Sequence, residues 1–317
     1  MAAQPAKLVC AGFVADIGTK EFADCVAYQE SHDPGQSVPP YRMDQYNNRV
    51  DAERYEVDST GRRMPVQSPY SRRGQAASSQ VVSGQVVLRD EYGNRYDARG
   101  NGLSDREVPD VSFDNFVDDL EAVVDAAGIE RFALLGISQG CSVSIAYAVR
   151  HPERVSHLVL LGGYAVGWKK RARTEEDKAA GEAMLTLMRI GWGQENPSFR
   201  QMFTSQFIPG ANKELADWFN EFQRISSSPA DAARNLLANG EADVTALLPQ
   251  VKVLTLVMHA RNDARVPFES GRRMAAGIPG ARFVPLESAN HIMLEGEPAL
   301  ERFLEELKAF IEPKSGH

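Results

Sequence analysis

The stretch "FALLGISQGCSVSIAYAVRHPERV", residues 132 to 155, constrains the fold of this chain more than any other. Arg131-Phe132-Ala133-Leu134-Leu135 is an apolar run of strand length, and Ser142 to Val149 has the apolar spacing of a helix that stops at His151-Pro152. Between them lies Gly136-Ile137-Ser138-Gln139-Gly140, a sharp strand-to-helix turn with a serine at its centre. Any side chain at Gly136 or Gly140 would collide with neighbouring backbone there, so glycine at both places is a steric requirement. The helix that follows aims its first N–H groups at the turn, where they favour negative charge. Cys141 and Ser142 are small enough for that crowded start.

The 317 residues, 43% of them hydrophobic, suffice for one large α/β domain carrying an insertion. The net charge of −8 argues against general affinity for nucleic acid or an anionic membrane. Cys10, Cys25 and Cys141 form neither a C-x-x-C pair nor a metal spacing. A reduced, cytoplasmic setting without metal or cofactor is the expectation. The apolar run Leu8 to Ala15 is too short to span a membrane and reads as a strand.

Residues 1–95 form an atypical segment, poor in core-forming side chains: the first 96 residues hold two leucines (Leu8, Leu88) and one isoleucine (Ile17). "KLVCAGFV" and "QVVSGQVVL" are its best strands, and His32 to Gln80 reads as loop. Residues 96–163 and 249–317 alternate strand and helix. A glycine-rich loop "RYDARGNGLSD" leads to a helix from about Ser112 to Ala127, closed by Gly128, and strands follow in "RVSHLVLLGGY", "VKVLTLVMHARND" and "ARFVPLESANH". Such alternation predicts a mostly parallel central sheet flanked by helices. Residues 164–248 leave the rhythm and read as a helical cap insertion carrying Trp168, Met184, Met188, Trp192, Met202, Trp218 and Phe222.

A serine hydroxyl needs a base to take its proton, and the base needs an acid to fix its tautomer. Catalytic groups in open parallel sheets gather beyond the carboxyl ends of strands. Asp263 follows one such strand and His291 another; His259, at the end of the strand before Asp263, is the competing base.

The order Ser138, Asp263, His291 and the strings "YDARGNGLSD", "GISQG", "HARNDARVPF" and "SANHIMLEGEP" resemble the α/β-hydrolase superfamily, of the esterase type, over about Tyr96 to Ile311. The resemblance implies Ser138 as nucleophile, His291 as base, Asp263 as orienting acid, and architectural roles for Arg99 and Asp105. It implies an oxyanion hole containing the backbone N–H of Gln139, with a second donor from a loop after an earlier strand. The nearest match for that loop is Ala11-Gly12-Phe13, which would make Phe13 the donor. The long separation of this match from "YDARG" departs from the family's spacing, and a donor elsewhere in residues 1–95 stays open.

The expected activity is hydrolysis of carboxylic esters through an acyl-enzyme, with short to medium apolar acyl groups preferred over charged ones and the seven insertion residues lining the pocket. The alternative is a hydrolase-fold module for ligand sensing or interaction, with little or no catalysis. The expected partner is a small-molecule ester; nucleic acid and membrane are not expected, and oligomeric state is open.

Overall fold

This computed structural model describes residues 97–311 apart from 103 and 107, together with the backbone of short strands between 7 and 96. The centre is built by β10 (Phe132–Ile137), β11 (Val155–Leu161), β12 (Leu254–Ala260) and β13 (Arg282–Leu286), which pair in parallel in the order β13-β12-β11-β10. Successive strand side chains point to opposite faces, and here both faces are apolar. Phe132, Leu134, Leu158, Leu160 and Val257 enter one core, while Ala133, Leu135, Val159, Leu161, Leu256 and Met258 enter the other.

Helices α1 (Phe113–Ala126), α2 (Gly140–Arg150) and α8 (Phe268–Gly277) cover the first face, and α9 (Pro298–Ile311) covers the second. The start of α1 is fixed by Ser112, whose side chain accepts the Asn115 amide while the Asn115 side chain accepts the Ser112 amide. Gly128, at φ +63°, ends it. Asp119 on α1 is buried against Arg99, which donates to both carboxylate oxygens at 2.7 and 2.6 Å and to the Asp110 carbonyl at 2.8 Å. This fork ties the glycine-rich loop to the helix layer.

Beyond β10 the sheet continues as β1 (Lys7–Cys10), β2 (Phe13–Asp16), β9 (Gly93–Tyr96), β8 (Gln85–Asp90) and β7 (Ser78–Val82). β1 is parallel to β10, whereas β2, β9, β8 and β7 are joined antiparallel. Two points differ from expectation. "KLVCAGFV" spans two strands, which pair antiparallel, so the chain reverses between Cys10 and Phe13. The stretch 32–80 contains two small hairpins, β3 (Arg42–Met43) with β4 (Arg49–Val50) and β5 (Tyr55–Val57) with β6 (Arg63–Pro65), apart from the main sheet.

Between β11 and β12 stand five α-helices, α3 (Trp168–Arg171), α4 (Glu175–Gly191), α5 (Ser198–Phe207), α6 (Lys213–Ser226) and α7 (Pro229–Glu241), followed by a 3-10 helix over Thr245–Gln250. The neck of this insertion is closed by a bridge between Val166 and Asp243, flanked by Gly167 N–H to Ala242 O at 2.7 Å and Val244 N–H to Ala165 O at 2.9 Å. Its own core is Leu185, Met188, Phe203, Ala232 and Ala233. None of the described helices is long and apolar enough to cross a membrane.

Candidate active site

Ser138 opens the β10-to-α2 connection at φ +53°, the one described residue other than glycine in the left-handed region. The strain is held from several sides. Its amide donates to Leu161 O at 2.9 Å, and its carbonyl accepts from the Cys141 amide at 3.1 Å. A Cβ at Gly136 would lie 2.7 Å from both Gly140 O and Ser144 Oγ, and one at Gly163 would lie 2.8 Å from Ser138 O and 2.1 Å from Cys141 Sγ. The turn is thus wedged between glycines, with the serine half-buried at its apex. Cys141 itself is fully buried, which pushes its thiol far above the ordinary range, so it serves as a small packing group. Gln139 is the N-cap of α2, and its amide sits where helix geometry supplies no acceptor. Its side chain accepts from Asn239 of α7 at 2.7 Å.

Asp263, just beyond β12, has a side chain that is 1% exposed and fully engaged. One carboxylate oxygen accepts the amides of Arg265 and Val266, each at 2.8 Å, and the other accepts from His291 Nδ1 at 2.7 Å. Burial alone would raise its pKa. Hydrogen bonds from His259, His291 and the Val266 amide outweigh that and hold the carboxyl well below its usual range. Facing a carboxylate, Nδ1 of His291 carries the proton, which leaves Nε2 as the basic nitrogen. That Nε2 is buried and has no hydrogen-bond partner among the described residues.

His259 is turned the other way. Its Nε2 lies 3.0 Å from Val266 O and 3.4 Å from Asp263 Oδ2, so it donates, and the ring packs where a Cβ on Gly271 would come within 2.5 Å of Nδ1. It is fully buried behind the acid and supports the turn.

Gly162 and Gly163 join the two halves of the site. Gly162, at φ +61°, presents its bare Cα to His291 and Asp263: a Cβ there would lie 3.4 Å from His291 Cε1 and 3.7 Å from Asp263 Oδ2. Gly163 lies against the Ser138 carbonyl. The end of β11 therefore brings the strained serine and the acid–histidine pair to one place.

The His291 loop is built by side-chain and backbone bonds. Ser288 Oγ accepts the Asn290 amide at 2.9 Å, and Glu297 accepts the Leu294 amide at 2.9 Å and Asn290 Nδ2 at 3.2 Å. The insertion also grips this loop. Phe207 O at the end of α5 accepts the amides of His291 and Ile292 at 2.8 and 3.1 Å, and Asn290 Oδ1 accepts the Gly210 amide at 2.8 Å.

Of the residues expected to line a pocket, Met188 is in the insertion's core, with Met184 and Trp192 packed against it. Trp168 is lodged between Gly181 and Gly240 and donates to Leu236 O at 3.0 Å. Met202 and Phe222 are exposed, and Trp218 stacks on Phe222 with centroids 5.4 Å apart. Phe207, which sequence reasoning missed, meets the His291 ring edge-on at 5.2 Å and continues through Phe219 at 6.0 Å toward the Trp218–Phe222 pair. Arg265 and Tyr164 were missed as well; lying beside Asp263 and Gly163, they were reachable from the strand-end rule. Phe13 heads β2, and the turn before it at 11–12 lies outside the described residues. No group of three or more potential metal-binding side chains occurs among the described residues.

Residues 95–298 match the family model for the α/β hydrolase fold. The chain belongs to this family. Relatives of the α/β hydrolase agree in extent: the AB hydrolase superfamily protein YisY of Bacillus subtilis (strain 168) is 28% identical over 198 residues, covering 62% of this chain and 72% of that protein. The 2-hydroxymuconate semialdehyde hydrolase of Pseudomonas sp. (strain CF600) is 30% identical over 215 residues, covering 62% and 68%. Among solved structures, an esterase from Exiguobacterium antarcticum superposes with TM-score 0.60 at 25% identity, covering 68% of this chain and 80% of that one. The protein is a hydrolase of this fold.

Proposed function

We propose that the protein hydrolyses carboxylic esters through an acyl-enzyme on Ser138. The observation that carries this reading is the 2.7 Å bond from His291 Nδ1 to Asp263, which leaves a buried Nε2 without a partner among the described residues, at the end of β11 where Gly162 and Gly163 also meet the strained Ser138. His291 Nε2 takes the Ser138 proton as the oxygen attacks the acyl carbonyl. The tetrahedral oxyanion is met by the Gln139 amide, and Phe13 N–H is the proposed second donor. His291 then gives its proton to the departing alcohol and activates the water that releases the acid. Asp263, ionised throughout, holds the imidazole and stabilises its charged form.

The apolar part of the substrate lies along Phe207, Phe219, Trp218 and Phe222, which suits short to medium chains. A second reading is hydrolysis of a carbon–carbon bond by the same residues, favoured by the likeness to a relative named 2-hydroxymuconate semialdehyde hydrolase. Turnover of 4-nitrophenyl butyrate by the parent and its loss in a folded Ser138→Ala variant test the main reading. A parent inert toward aryl esters turns the assignment to the second.

A further inference from the structure

Three arginines with little exposure show what a settled guanidinium looks like in this fold and what an unsettled one looks like. Arg99 is matched by Asp119. Arg200 is 1% exposed and has no carboxylate, yet it spends its donors on backbone carbonyls, at 2.9 Å to Asn220, 2.6 Å to Trp192 and 2.6 Å to Gln194. Both are structural.

Arg265 is neither. Its guanidinium lies over the rings of Phe203 and Phe207 at 5.6 and 5.4 Å, and a single protein acceptor, Gln206 Oε1 at 2.8 Å, takes one of its five N–H groups. The carboxylate nearest in sequence, Asp263, is committed to two histidines and two amides. Arg171 repeats the pattern: its guanidinium lies 5.3 Å over the Tyr164 ring, with one long bond to Val166 O at 3.3 Å. Neither arginine has an ion-pair partner among the described residues, and neither has a buried unpartnered nitrogen, so the unused donors face accessible space. Arg171 covers the Tyr164 ring, and Arg265 lies over Phe207, the same ring that meets His291. Tyr164 directly follows Gly163, which touches the Ser138 carbonyl, and the Arg265 amide is bonded to the catalytic-loop acid.

Two cations bordering the site, with eight of their ten N–H groups unspent among the described residues, are complementary to an anion with planar paired oxygens. Resting on the hydrolase reading above, we infer that Arg171 and Arg265 bind a carboxylate of the substrate, with the Tyr164 hydroxyl beside it. The substrate class is then an acyl compound with an apolar middle, received by the Phe207 row, and a carboxylate away from the bond that is cut. This reverses the sequence expectation that charged substrates are disfavoured, which drew on the aromatic and methionine residues of the insertion.

The test compares 4-nitrophenyl hydrogen glutarate with its methyl ester, which differ by one charge. The parent should show kcat/KM about 10- to 100-fold higher for the acid, the range for one or two charge-assisted hydrogen bonds. Arg265→Met and, separately, Arg171→Met should each lower that ratio by about 10-fold, and added salt should lower it in the parent. Because Arg265 also packs against α5, Arg171→Met carries the test if Arg265→Met does not fold. Glutarate binding to Ser138→Ala, read by titration calorimetry, gives an answer without turnover and should weaken about 10-fold when Arg171→Met is added. A ratio near one in the parent, or a ratio unchanged in the folded arginine variants, overturns the inference while leaving ester hydrolysis intact. Glutarate binding through the arginines in a protein that cleaves neither ester supports the inference and rejects the hydrolase reading; no glutarate binding and no turnover rejects both.

Discussion

Phe207 holds His291 twice: its carbonyl accepts the His291 amide at 2.8 Å, and its ring meets the imidazole edge-on at 5.2 Å. The insertion and the His291 loop are therefore one mechanical unit at this point. An edge-to-face pair contributes about 0.5–1.5 kcal/mol beyond its buried area. Phe207→Leu should keep the backbone bonds, lower the melting temperature slightly and reduce kcat for an aryl ester by roughly 3- to 10-fold. An unchanged kcat would show that the ring does not steady the base.

The two histidines at Asp263 should separate in mutants. His291→Asn removes the proposed base and should lower kcat/KM by about 10³-fold or more while the fold survives. His259→Asn leaves the base in place but removes a buried donor to Val266 O, so stability should drop by about 1–3 kcal/mol with a smaller kinetic loss. Chemical denaturation together with steady-state kinetics distinguishes them. Equal catalytic losses would return His259 to consideration as the base.

Stability should depend on pH through Asp263. Its folded pKa is held below the ordinary value of about 3.9. A depressed pKa contributes stability that is complete above the unfolded value and is lost as pH falls through the folded one. The difference in unfolding free energy between the parent and Asp263→Asn should therefore be steady from pH 5 to 8 and shrink below about pH 4. A difference that grows on acidification would mean the carboxyl is not held ionised.

Glycine substitutions should report which turns are crowded. Gly163→Ala would place a Cβ 2.1 Å from Cys141 Sγ and 2.8 Å from Ser138 O, so it should destabilise by several kcal/mol, more than the usual ~1–3 for overpacking, and abolish activity. Gly280→Ala has nothing within 4 Å and should incur only the left-handed backbone penalty, roughly 1–2 kcal/mol. Thermal melts of the two rank them. Similar melting temperatures would contradict the crowding at Ser138.

The parts of this molecule written in local pattern were legible before any coordinates. The α1 helix announces itself by Ser112 at one end and Gly128 at the other, and β10 by an apolar run that stops at Gly136. Asp263 and His291 are conspicuous because polar residues that follow buried strands fall at one edge of the sheet. What could not be read depends on tertiary contact. Phe207 is one aromatic among several in the insertion, and only the fold of α5 against the His291 loop singles it out. Met188 and Trp192 look as suitable for a pocket as Trp218 does, yet the first two pack the insertion's interior. Arg200 and Arg265 are indistinguishable as sequence; only one of them finds enough carbonyls. The reversal after Cys10 shows only in the antiparallel pairing of β1 with β2, because the apolar run reads as one continuous strand.

The central claim is that Ser138 is the nucleophile activated by His291, and covalent trapping reads it directly. An alkyl 4-nitrophenyl phosphonate, incubated with the full chain, should release one equivalent of nitrophenolate per protein, abolish ester turnover and leave a single adduct that peptide mapping places on Ser138. His291→Asn should slow that labelling by about 10³-fold or more, and Ser138→Ala should take up no label. An adduct on another residue, or full ester hydrolysis by Ser138→Ala, would contradict the account.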